Sequence, residues 1–343
     1  MPKDIKFIAV SGFYGSGSSA VVDLLKEYDN TYECRAEIRT IKDPYGIMQL
    51  ERALTDDWEM INSAAAIRDF MWLNKICARS GRMPWSPAGL GYSKTISKKY
   101  MDITRQYIMS LTDFEYRSDL YYQKFKKNYV RYVTDRVRFG IERVSKRKFK
   151  TARRNMKPSC FAKPSHEKFY KATQEYFNSL FEEHANGKET FVILDQAISP
   201  NNPQVIHKYF EYAKLIVVDR DPRDIYIEGI LWGEMRDSNL HTKEAGKQYV
   251  IKHRALRDCN IEDNDILRIN FEDLVFNYDN TTKIIEEFLG FTPENHIHPR
   301  KFLIPEKSAQ NSGIWKKYYN EYKDALDVIT NELSEYCCRD ARR

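Results

Sequence analysis

The sequence predicts an α/β protein, a parallel sheet of short buried strands with helices on both faces. Three observations carry this reading. Short, mainly apolar runs at 7–10, 190–194, 215–218 and 266–269 are each followed by a helical pattern. Their hydrophobicity is continuous rather than alternating, which suits strands buried on both faces. A loop of three glycines and four serines in nine residues, 11–19, joins the first run to its helix.

The chain, at 343 residues with 42% hydrophobic and 30% charged residues, is globular and can bury a large core. No apolar run approaches the roughly 18 residues of a membrane helix. The first strand starts within a few residues of Met1, leaving no room for a signal peptide. A soluble, cytoplasmic protein is expected, with peripheral contact to a membrane left open. Six scattered cysteines form no C-x-x-C pair, so no zinc site, other metal site or disulfide framework is expected.

In chain order, Ala20, Val21, Leu24 and Leu25 recur at helical spacing after the glycine-rich loop. Residues 33–39 read as a second strand or extended segment, broken by the turn Asp43-Pro44-Tyr45-Gly46. Helices follow at 47–54 and 58–80, then a loop punctuated by Pro84 and Pro87. Further helices are expected at 169–184, ended by Asn186-Gly187, and at 203–212, 225–232, 243–257 and 281–289, with one more near the end.

Net charge is +6, unevenly spread. Residues 94–157 hold 19 Lys/Arg against 6 Asp/Glu, so the rest of the chain is about −7. This segment is expected to be largely helical, with Phe125, Tyr129, Tyr132 and Val133 on one face. In a single domain spanning 1–343, residues 90–188 would form a basic helical insertion over the strand ends. It would gather an anionic acceptor or an anionic membrane surface, with Lys146, Arg147, Lys148 and Lys150 its densest charges. Solvated charges over core aromatics would be the plainer explanation. Nucleic acid is disfavoured, because no zinc-finger spacing, RNP-type motif or heptad is present.

Strand, Gly/Ser loop and helix together place an anion on backbone N–H groups at a helix N-terminus. The phosphate-loop pattern G-x-x-x-x-G-K-[ST] fits residues 12–19, except that Ser18 stands at the lysine position. The missing lysine disfavours an ordinary ATP or GTP site. Asp195 and Arg220 follow later strands, at the carboxyl ends where such sheets bind ligands.

Three separated stretches together resemble the sulfotransferase family. The Gly/Ser loop is similar to its 5′-phosphosulfate loop. Residues 217–224, VVDRDPRD, are similar to its 3′-phosphate signature. Residues 271–275, FEDLV, the helix ending Phe288-Leu289-Gly290, and Ser308, Asn311, Gly313 and Trp315 complete the resemblance, which covers roughly 5–30 and 190–320. It implies a phosphate-loop (P-loop NTPase-like) fold and the donor 3′-phosphoadenosine 5′-phosphosulfate (PAPS), released as 3′,5′-ADP. It also implies a cradle formed by Gly15, Ser16, Gly17, Ser18 and Ser19, with Arg220, Ser308 and Asn311 on the rest of the donor. Two positions depart from the family: Gly15 stands where a cation is usual, and Glu228 where a serine is usual.

Sulfuryl transfer needs a cradle, a cation near the leaving oxygen and a base for the acceptor hydroxyl. Arg39 is the first candidate for the missing cation, with Arg35 and Lys42 as alternatives. Glu37 and Asp195 are the candidate bases, Glu37 sharing a strand face with Arg39. Arg223 assists Arg220 or pairs with Asp221 or Asp224. His207, His241 and His253 read as surface residues, and His296 and His298 lie in an unplaced loop. The expected activity is sulfation of a carbohydrate or glycoconjugate hydroxyl, on the aromatic richness and the basic segment. A phosphate-loop small-molecule kinase and a non-catalytic nucleotide- or polyanion-binding protein are the alternatives.

Overall fold

The computed structural model describes residues 5–81, 89–117, 129–145, 158–185, 190–233, 235, 237, 239–257 and 263–338. Pro84, Pro87, Tyr121, Tyr122, Phe125, the 146–150 charges, Asn186-Gly187 and Cys259 lie outside them. The centre is a five-stranded, all-parallel sheet built from β1 (Ile5–Gly12), β2 (Thr31–Glu33), β5 (Thr190–Asp195), β6 (Ala213–Asp219) and β7 (Ile266–Asn270), in the order β2-β5-β1-β6-β7.

Strand periodicity splits the apolar runs cleanly between two faces. Phe7, Ala9, Val192, Leu194, Leu215 and Val217 enter one core. Ile8, Val10, Ile193, Ile216 and Val218 enter the other. Helices Ile47–Leu54, Met60–Ala78, Tyr100–Leu111 and His166–Phe181 cover the first face; Ser18–Leu25, Phe271–Phe276 and Tyr278–Leu289 cover the second. Both faces are dry, so the strands need no polar alternation. A third core joins Pro222–Leu231, Lys243–Arg257 and Lys323–Glu332.

The structure departs from the expected elements at two places. Residues 33–39 are not a strand: β2 ends at Glu33, and Arg35 takes a left-handed backbone, φ 53°. Glu37 and Arg39 therefore share no strand face. The basic segment is not wholly helical either. Antiparallel strands β3 (Phe114–Arg117) and β4 (Pro158–Phe161) pair across it. Its aromatics also divide. Tyr100 and Tyr107 are buried in the first core, whereas Tyr129, Tyr132 and Phe139 on helix Tyr129–Val144 are exposed.

The unplaced histidines are anchors. Glu27 is fully buried and accepts N–H bonds from Arg300, Phe302 and Leu303 at 2.9–3.0 Å. The His296 ring lies 2.9 Å from the same carboxylate and stacks on Tyr28. This carboxylate pins the 296–303 loop to the turn that follows the first helix. The His298 N–H donates to the Glu27 carbonyl in the same loop.

Candidate functional site

A cavity of about 480 Å³ opens at the carboxyl ends of β1, β5 and β6. It is lined by Gly15, Gly17, Ser18, Ser19, Glu37, Arg39, Asp195, Arg220, Ser308 and Asn311 among others. The residues expected from the sequence to form the site are on its wall, except Ser16, which is buried, and the alternative cation Arg35, which lines a different cavity.

The loop is shaped by its glycines. Gly17 caps helix Ser18–Leu25 at φ 82°, and a Cβ there would fall 2.4 Å from the Phe271 ring. Of the N–H groups that open the helix, that of Ala20 donates to the Gly17 carbonyl; those before it have no carbonyl one turn back to bond. The buried Ser16 hydroxyl has no protein partner, nor does the buried Nε of Arg220. Two orphaned donors beside a helix N-terminus suit an anionic group of phosphate or phosphosulfate size.

Ser18, at the usual lysine position, accepts 2.9 Å from the Gln196 amide. The other end of that amide accepts 3.2 Å from Lys42 Nζ. Gln196 adopts φ 55°, a strained backbone held in place by its N–H bond to Val10. Lys42 thus reaches the loop from a distant segment. Burial, with Arg39 nearby, lowers its pKa. Arg39 is held differently, at 2.9 Å from Glu37 and 2.7 Å from Asp43. Buried Tyr92 fixes this segment, donating to the Glu37 carbonyl and accepting from the Arg39 N–H.

Asp195 ends β5, and its backbone carbonyl accepts from the Ile38 N–H. One carboxylate oxygen is buried without a partner. Burial, with Glu37 and Glu33 nearby, pushes its pKa up to about 6. Glu37, the other candidate base, is exposed and paired with Arg39.

Arg220 is a tie. It donates to the Gly15 carbonyl at 2.6 Å and to the Asn311 carbonyl, and lies 2.9 Å from Glu228. Its guanidinium also sits over the Phe271 ring. Glu228 points at the loop: a Cβ on Gly15 would meet its carboxylate at 3.1 Å. The two departures from the family are therefore one feature, since Glu228 fills the space beside Gly15. A 3′-phosphate on Arg220 would have to displace Glu228, so the loop half of the cavity fits a PAPS donor better than the Arg220 half does. Arg223 pairs with Asp221 rather than assisting Arg220. Asp224 accepts from the Gly313 and Trp315 N–H groups and fastens the 311–315 segment to the same helix.

The histidines do not reach this chemistry. His253 is buried near Phe13, with its pKa lowered to about 4 by burial. His207 pairs with Asp263 at the amino-terminal edge of the sheet. His241 lines a separate pocket with Met235 and Tyr322. The sequence offered no signal for Gln196 as a link, because its role rests on backbone geometry and on partners far away in the chain.

Comparison with known proteins gives one family. Residues 96–294 match the profile described as the sulfotransferase family, and this match takes in the basic segment from residue 96 on. No curated protein matches the chain. Among solved structures, the chain is similar to the sulfotransferase domain of the olefin synthase of Synechococcus PCC 7002. That pair is 12% identical, with 95% of this chain and 94% of that one covered and a TM-score of 0.42. A sulfotransferase from Mycobacterium avium is also 12% identical, with 98% and 76% covered and a TM-score of 0.37.

Proposed function

The chain belongs to the sulfotransferase family, whose members move a sulfuryl group from PAPS, and on that premise we propose that its acceptor is a hydroxyl of an anionic carbohydrate or glycoconjugate. The transfer is supported by Asp195, Lys42 and the loop lining one cavity, and the anionic acceptor by the Arg35 and Lys94 side chains lining a second one. With the family known, the kinase and non-catalytic readings are set aside.

The donor supplies an activated sulfuryl group: the acceptor oxygen–sulfur bond forms as the bridging oxygen–sulfur bond breaks, leaving 3′,5′-ADP. Asp195 takes the proton of the acceptor hydroxyl, since a base with a pKa near 6 is largely ionised at neutral pH yet still basic. Lys42 offers its charge to the leaving side of the cavity, in the role a loop cation would fill. Arg39 holds Glu37 in place beside Asp195. The Gly15–Ser19 loop with its Ser16 hydroxyl holds the anion of the donor, and Ser308 and Asn311 line the same cavity.

A second cavity of about 610 Å³ lies along β2 and is lined by Lys26, Glu33, Arg35 and Lys94. It shares the 33–42 segment with the first, and its Glu33 contributes to the raised pKa of Asp195. Lys26 is paired with Asp23, so Arg35 and Lys94 are the cations that suit an anionic acceptor whose hydroxyl reaches Asp195. Exposed Tyr14 beside the loop offers a stacking face for a sugar.

Lys42→Met is expected to lower turnover by roughly 10²–10³-fold, the range for removing one charge-stabilising donor. Lys42→Arg should recover part of it, and 3′,5′-ADP affinity should change less than turnover. If turnover of Lys42→Met stays within a few-fold of wild type while Arg39→Met is inactive, the cation is Arg39. The acceptor class is tested by a glycan screen for labelled sulfate. Incorporation into acidic glycans supports the proposal, and incorporation only into peptides or small phenols refutes it.

A further inference from the structure

Helix Tyr129–Val144 is built the wrong way round for a helix packed on a protein. Its buried residue is Glu142, with half-buried Asp135 beside it. At about 100° per residue, these two acids mark one side of the helix. The opposite side, a sector of about 120°, carries Tyr129, Val130, Val133, Val137, Ile141 and Val144 and no charge. These side chains face solvent: Tyr129 is 81% exposed, Val130 70%, Val137 57% and Val144 85%. A contiguous apolar face of this kind marks an interaction surface.

The flanks say what it meets. Arg131 and Arg138 border the apolar sector on one side, Arg136 and Arg143 on the other. Arg138 lies 3.8 Å from Asp135, and Arg136 sits over the Tyr132 ring. Arginines lining both edges of an apolar face, with the acids turned away, match a helix lying in a membrane interface. Long basic side chains reach up to headgroups while the apolar stripe enters the acyl boundary. A second copy of the chain docking face to face would instead bring four arginines against four. The wider segment, at 19 Lys/Arg to 6 Asp/Glu, adds to the attraction for an anionic surface. No helix among the described residues is long and apolar enough to cross a membrane, so the contact is peripheral.

We propose that helix Tyr129–Val144 docks the protein on an anionic lipid surface through its Val/Ile/Tyr face, with the flanking arginines on the headgroups. The helix contributes no residue to the cavity beside the Gly/Ser loop, and the proposal does not depend on which acceptor is used.

The intact protein is mixed with vesicles of phosphatidylcholine alone, or with about a third phosphatidylserine, and sedimented. Anionic vesicles are expected to carry down at least about ten-fold more protein, an advantage that shrinks as salt rises. Val130→Asp, Val137→Asp and Val144→Asp together should lower that binding by about 10²-fold. Their circular dichroism and melting should match wild type, because all three positions are exposed. Arg136→Gln with Arg143→Gln should lower binding by roughly five-fold per charge. Equal binding to both vesicles, no binding to either, or undiminished binding of the triple variant overturns the proposal. So does a dimer in sedimentation equilibrium that the triple variant dissolves without any vesicle binding in the wild type.

Discussion

Asparagine in place of Asp195 is expected to lower turnover by roughly 10²–10⁴-fold while leaving 3′,5′-ADP binding nearly intact. The amide keeps the shape and the strand end but cannot take a proton. The pH profile of the wild type should rise through about 6, where Asp195 ionises, and the variant should lose that limb. The same substitution should stabilise the fold at neutral pH. Burial raises the folded-state pKa of Asp195 above its unfolded value, so the folded chain binds that proton more tightly. Its contribution is therefore most favourable below the unfolded pKa and is lost as pH rises through about 6. Asparagine, which never ionises, escapes this loss, a gain of roughly 1–3 kcal/mol above pH 7 that shrinks towards pH 5. Thermal melts across pH check it. A variant both inactive and less stable at pH 7 would show Asp195 acting through the fold. Unchanged turnover would return the role of base to Glu37.

Alanine in place of Arg220 should cost about 3–5 kcal/mol in chemical denaturation, the range for breaking a buried ion pair from one side. The pair is sequestered, its side chains 2% and 18% exposed. Removing the guanidinium also frees the Gly15 and Asn311 carbonyls and leaves Glu228 without its partner. Arg220→Ala with Glu228→Ala together should recover part of the loss, a coupling of roughly 1–3 kcal/mol. Because Gly15 belongs to the loop, 3′,5′-ADP and 5′-AMP should both bind less well to the single variant. Glu228→Ser alone should favour 3′,5′-ADP over 5′-AMP, by clearing a carboxylate from the arginine. A loss below about 1 kcal/mol in Arg220→Ala, with only 3′,5′-ADP weakened, would make Arg220 a free phosphate receptor.

The buried strands were legible because each is a short apolar run and both faces of the sheet are dry, as Phe7 and Ala9 against Ile8 and Val10 illustrate. The Gly/Ser loop was legible because glycine at a left-handed helix cap leaves a direct compositional trace. The 33–39 segment was misread because its buried residues, Cys34 and Ile38, look like strand positions. They are buried by neighbours from other elements, and a left-handed Arg35 takes the chain out of the sheet. Strands β3 and β4 escaped notice because each is four residues long and its partner lies some forty residues away. The reason for proposing Lys42 over Arg39 was equally invisible: Arg39 is paired with Glu37 and Asp43, while Lys42 reaches the Gln196 amide, and those partners are set in space rather than in sequence.

The claim at the centre of this account is that the cavity at the strand ends holds a sulfuryl donor. Titration calorimetry of the intact protein with 3′,5′-ADP, and separately with ATP and magnesium, tests it most directly. Saturable heat with 3′,5′-ADP, competed by PAPS and absent with ATP and magnesium, is the predicted result. A preference for ATP with magnesium, with no response to 3′,5′-ADP, would contradict it.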